Sequence, residues 1–99
     1  MAKPFGDLAG SGMHMHVSLA DAEGNNLMAS EDPHGTPLLK HAIGGMMATL
    51  NDALAIFCPN ANSFRRFQAN SYAPLQRNWG INNRTVSLRV PGGPAASRH

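Results

Sequence analysis

The 99-residue sequence has one cysteine, no lysine or acidic residue after position 52, no long apolar run, and only 14% charged residues. Each shortage excludes something. A single thiol, Cys58, cannot form an internal disulfide, so a reducing compartment is the expectation. It closes an apolar run, where a buried, inert thiol is expected rather than a nucleophile. No stretch nears the roughly 18 apolar residues of a membrane span, and the first residues lack a signal-peptide pattern. A soluble, cytoplasmic protein with no membrane partner is expected. The charge content lies well below the usual level of about 25%, which points to faces that more protein covers. A chain this short is at most one small domain, burying about 60 to 65% of its unfolded surface.

The charge is also unevenly placed. All six acids (Asp7, Asp21, Glu23, Glu31, Asp32, Asp52) lie in residues 1–52 with Lys3 and Lys40, whereas residues 53–99 carry six arginines and no other charge apart from histidine. Arginine used without lysine suits planar, bidentate recognition of carboxylate or phosphate. The second half is equipped for an anion.

Gly10 to Leu19, GSGMHMHVSL, is the most informative stretch. Its alternation predicts a strand at Met13–Leu19, with Met13, Met15, Val17 and Leu19 on a core face and His14, His16 and Ser18 on the other. Two imidazoles on one face can ligate a metal or donate to an anion, but a bare HxH pair is more often just two exposed or hydrogen-bonded histidines than a pair of ligands. Gly10 and Gly12 allow close backbone approach or serve as turn glycines. Residues 20–35 are polar and turn-rich, so a hairpin followed by an exposed loop is expected.

One long helix follows. Thr36 suits the N-cap and Pro37 the first turn, and Leu38, Leu39, Ala42, Ile43, Met46, Met47, Leu50, Ala53, Leu54 and Phe57 recur at helical steps up to Pro59. One face of this helix is expected to be buried along its length. Gly44-Gly45 inside it costs about 1 kcal/mol per glycine relative to alanine, so close packing is expected there. Residues 60–74, NANSFRRFQANSYAP, read as a structured loop in which Phe64, Phe67 and Tyr72 pack. Asn83–Pro91 alternates as a strand, with Val86, Leu88 and Val90 on one face and Arg84 acting from the bend before it. The tail, GGPAASRH, has no periodicity.

Taken alone, these residues describe a histidine-bearing strand opposite several arginines, a set that suits a nucleotide and a divalent metal. Hard cations need carboxylate oxygens, however, and only Asp7 lies near the histidines. An alternative is a nucleic-acid-binding module in which Phe64, Phe67, Tyr72 and Trp79 stack bases between the arginines.

Three stretches, GSGMHMHVSL, NANSFRRFQANSYAP and NNRTVSLRVPGGPAASRH, together resemble the signatures of the glutamine synthetase catalytic domain, in order and at similar spacing. The second and third look most like the branch that includes γ-glutamylpolyamine synthetases. The resemblance implies an α+β fold in which antiparallel strands of a curved sheet are backed by the one long helix. It implies ATP-dependent joining of the γ-carboxyl of glutamate to an amine through an acyl phosphate, with Mg²⁺ or Mn²⁺ as cofactor, no nucleic acid, and a homo-oligomeric full-length enzyme. Position by position, it implies that His14 ligates the metal, that His16 and Ser18 lie against ATP, and that Gly10 and Arg66 bind glutamate. Arg84 would act catalytically at the transferring phosphoryl group and Arg89 at the nucleotide phosphates.

The departures from the family pattern carry information too. Ala9 stands where glutamine synthetases have asparagine, and Tyr72 where they have the flap glutamate that helps deprotonate ammonium. An organic amine such as a polyamine is therefore expected as nucleophile, with ammonia, as in glutamine synthetase proper, the alternative. Ala69 stands in place of a proline, which could loosen its loop. Residues 1–99 are expected to be an internal segment of a longer catalytic domain, incomplete at both ends and inactive by itself.

Overall fold

A computed structural model describes residues 1–99. Helix α1, Pro37–Phe57, has the predicted bounds. Thr36 caps it by accepting a 3.2 Å hydrogen bond from the Leu39 amide, and Pro37 opens it, where a missing N–H costs nothing. Gly35 enters the cap with φ +74°, and a side chain there would run into Leu39. A short second helix, α2 (Ala61–Phe64), is capped by Asn60. Strands β1 (Trp79–Ile81) and β2 (Leu88–Val90) follow, then a 3₁₀ turn at Ala95–Ser97.

The predicted sheet is corrected in two respects. β1 and β2 pair parallel, with Trp79 opposite Leu88 and Ile81 opposite Val90, not antiparallel. Parallel neighbours ordinarily need a crossover of a dozen or more residues. Here each strand has only three residues, so the six residues 82–87 suffice to carry the chain back. Asn82 supplies the first reversal with φ +53°, and Asn83 the second, its side chain accepting from the Thr85 amide and hydroxyl.

The second correction concerns Met13–Leu19, which is not a strand because no other segment supplies it with a ladder. The expected hairpin after it survives as one antiparallel bridge, Ala20 to Asn26. Its turn is built on Asp21, whose carboxylate accepts from the Glu23 and Asn25 amides and from the Asn25 side chain. The Asn25 side chain, then its amide, hold the Asp21 pKa below its ordinary 3.8. The strand expected at Asn83–Pro91 shortens to β2, while Val86, Leu88 and Val90 keep their common inward face.

The core is small: Met28, Leu39, Ile43 and Val90, with Ala42, Met47, Ile81 and Leu88 packed around it. Only the first turns of α1 are therefore buried, against the expectation of a face buried throughout. Leu50, Ala53, Leu54 and Phe57 are half-buried, and Ile56 is 76% exposed. Nor does anything pack against Gly44 or Gly45. The chain exposes 6919 Å², where a self-contained monomer of its mass exposes about 5,400 Å². Its radius of gyration is 15.3 Å, against about 13 Å for a compact domain of this length. The surplus surface is the structural counterpart of the low charge content.

Candidate ligand-binding site

The residues singled out in the sequence fall into three groups. The first surrounds Arg66, at the exit of α2. Its Nε donates to the Ser63 carbonyl, Nη1 to the Ser11 carbonyl at 3.2 Å, and Nη2 to the Phe57 carbonyl at 3.2 Å, with the Cys58 sulfur 3.4 Å away. One guanidinium thus ties the end of α1, α2 and the stretch leading to the histidines. Gly10 lies in the same corner. A Cβ there would stand 2.5 Å from the Ala2 carbonyl oxygen, which accepts from the Ser11 amide, so the loop closes only with glycine.

Lys3 completes this corner. Its amide donates to the Asn62 side chain at 2.7 Å, the Asn62 amide group donates back to the Lys3 carbonyl, and its buried ammonium donates to the Leu8 carbonyl. Nothing in the sequence marks this pin, because Lys3 and Asn62 are 59 residues apart. Cys58 is buried, as expected.

The second group lies across the core. Met15 and Val17 border an apolar cleft of about 100 Å³ with Leu39, Ile43 and Val90, but Met13, Met15, Val17 and Leu19 are 44 to 64% exposed, so the core face predicted for this stretch is not buried. Arg89 and His99 border the same cleft. His16 Nδ1 is 2.6 Å from His99 Nε2, with the rings edge to face. Of the residues expected at the nucleotide, Arg89 lines the cleft and His16 adjoins it through His99, a histidine that the aperiodic tail did not advertise.

The tail is fastened by Arg98, which is 2% exposed. Its guanidinium donates to the Pro91 and Ser30 carbonyls, its own carbonyl accepts from Asn26 at 2.6 Å, and its Nε is buried without a partner. An arginine in a run of small residues was the one available sign of an anchor.

The third group is Arg84, exposed on the 82–87 loop with no hydrogen bond of its own. A polar hollow of about 300 Å³ opens beside it, lined by Ser71, Ala73, Asn78 and Thr85 among others. Tyr72, 84% exposed, stands between two of those residues and Arg84 precedes a third, so the expected packing of Tyr72 is not found. Phe64 and Phe67 do pack, edge to face at 6.0 Å. His14 and Ser18 are exposed, and neither side chain has a hydrogen-bond partner within the chain. No three His, Cys, Asp or Glu side chains converge, so the residues present do not by themselves fit the divalent metal that the resemblance implies. No helix is long and apolar enough to cross a membrane.

In this α+β unit Arg89 and His99 line one opening, the exposed Arg84 adjoins a residue that lines another, and a large surface is left uncovered. The family model of the glutamine synthetase catalytic domain matches residues 1–99. The chain belongs to that family. It is 46% identical over 93 residues to the γ-glutamylputrescine synthetase of Escherichia coli (strain K12), covering 94% of this chain and 20% of that protein. Identity is 41% over 92 residues to the γ-glutamylethanolamide synthetase of Streptomyces coelicolor, with 93% and 20% covered. To the type-1 glutamine synthetase 2 of Dictyostelium discoideum it is 40% over 101 residues, with 99% and 19% covered. The chain spans about a fifth of the length of these relatives.

Proposed function

We propose that residues 1–99 form an internal segment of an ATP-dependent ligase that joins the γ-carboxyl of glutamate to an organic amine. ATP phosphorylates the carboxylate, and the amine then displaces phosphate from the acyl phosphate. The family match over the whole chain carries this reading, and the grouping of the side chains supports it. Gly10 and Arg66 bind glutamate at the first corner, Arg66 with the one Nη1 hydrogen that its bonds to three carbonyls and the Cys58 sulfur leave over. Arg89, at the cleft, and His16 and Ser18, on the exposed stretch beside it, bind the nucleotide. Arg84, with no internal partner to give up, offsets the charge that develops on the transferring phosphoryl group. His14 would be one donor towards Mg²⁺ or Mn²⁺, whose carboxylate ligands would come from other parts of the full-length protein.

Ala9 and the exposed Tyr72 favour an amine larger than ammonia, since Tyr72 offers a ring and a hydroxyl beside the polar hollow where the family pattern has a carboxylate. Two of the relatives named above are synthetases of organic amides, which supports the same choice. The full-length protein is a cytoplasmic homo-oligomer that binds no nucleic acid. The test is ATP-dependent amide formation from glutamate by the protein at its native length. Putrescine or ethanolamine is expected to outperform ammonia in kcat/KM at least tenfold; the reverse order would make it a glutamine synthetase, and no amide with any amine would refute the reading.

A further inference from the structure

We propose that His99 is a positioning residue that fixes the tautomer of His16, so that His16 meets the nucleotide as a hydrogen-bond acceptor through Nε2. The nucleotide rests on the functional reading above, whereas the tautomer rests on the geometry alone. His99 Nδ1 lies 2.9 Å from the Ser97 carbonyl oxygen. A carbonyl can only accept, so Nδ1 carries the proton and, in the neutral ring, Nε2 is left as a lone pair. That lone pair faces His16 Nδ1 at 2.6 Å, which must therefore donate. The remaining nitrogen of neutral His16, Nε2, then has no proton, and it makes no hydrogen bond within the chain. A free histidine favours the opposite arrangement, with the proton on Nε2, so the chain of two bonds reverses an ordinary preference.

The reversal is held firmly because its far end is fixed. The Ser97 amide and hydroxyl both donate to the Pro94 carbonyl, at 2.9 and 2.7 Å. Arg98, between Ser97 and His99, is buried and bonded to Pro91 and Ser30. The consequence for ligand chemistry is definite. A phosphate oxygen needs a donor and gains nothing from a bare Nε2, whereas a hydroxyl or amino group of the nucleoside part can donate to it. Arg89, at the same cleft, is the group left for phosphate.

The experiment uses the protein at its native length, labelled with ¹⁵N-histidine and observed at alkaline pH with both rings neutral. His16 is expected to show a protonated Nδ1 and an unprotonated Nε2, and His99→Ala to return it to the ordinary Nε2–H form. ATP affinity should fall about tenfold in His99→Ala, the worth of one good hydrogen bond, and recover in His99→Gln, whose amide oxygen can accept from His16. Inorganic triphosphate should bind both proteins equally. A protonated Nε2 on His16 in the native protein, or an equal loss for ATP and triphosphate, would overturn the proposal. A native protein that binds no ATP yet shows the Nδ1–H tautomer would instead refute the functional reading and leave only the control of the His16 tautomer by His99 standing.

Discussion

Arg66 and Arg84 are both arginines of the second half, and both are assigned to anionic substrates, yet the fold treats them in opposite ways. Arg66 is bonded to three backbone carbonyls drawn from three segments. Arg84 rides on a loop that an asparagine side chain shapes for it, and its own guanidinium bonds to nothing. The first is scaffold before it is site; the second is held in reserve. One residue type thus does two jobs, and the distinction lies in which donors are already committed.

The comparison can be broken most sharply at Arg84. In the full-length protein, Arg84→Ala should lower kcat by roughly a thousandfold or more, the order seen when a charge-stabilising arginine is removed from phosphoryl transfer, while leaving the unfolding midpoint unchanged. A large loss of stability in that variant would show the loop to be scaffold as well. Arg66→Ala should do the reverse in emphasis. It strands carbonyls at Ser11, Phe57 and Ser63, so a destabilisation of about 2 to 4 kcal/mol in denaturant titration is expected beside a raised KM for glutamate.

A parallel contrast runs along α1. Ile43→Ala in the packed half should cost about 2 to 4 kcal/mol, whereas Ile56→Ala in the uncovered half should cost under about 0.5 kcal/mol in this chain. A large cost at Ile56 in the full-length protein would show that further chain covers it there. The smallest effect belongs to Asp21. Its folded pKa is depressed, so the order it gives the 20–26 turn is present above pH 3.8 and is lost as the pH falls through the lower folded value. Amide exchange of Asn25 followed from pH 6 down to pH 2.5 should show protection fading at the acid end; Asp21→Asn should remove that acid transition.

How far the sequence could be read follows from what each feature depends on. α1 was legible to the residue because its cap, its proline and its period are all local. The Met13–Leu19 stretch shows the limit of periodicity: alternation brings Met15 and Val17 to the edge of the cleft but leaves them exposed, because a strand also needs a neighbour, which no pattern within the segment can supply. The parallel pairing was hidden for a related reason, since it depends on an asparagine at positive φ and on strands short enough for six residues to reverse twice. Arg98 and His99 act through partners 68 and 83 positions away, at Ser30 and His16, and no local signal records such a distance. The family resemblance named Gly10, His14, His16, Ser18, Arg66, Arg84 and Arg89; the geometry then separated those already committed to the fold from those left free.

Those long spans also impose an order of assembly. β1 and β2 are nine positions apart in register and the cap and backbone ladder of α1 are local, so both can form on the fast timescale of local structure. The bonds from Lys3 to Asn62, from Arg98 to Ser30 and from His16 to His99 each close a loop of 59 residues or more. Their entropy of closure comes due only after the local elements exist. On a ribosome the Arg66 corner can therefore shut while the tail is still unmade, and the histidine relay is the last part of the segment to come into being.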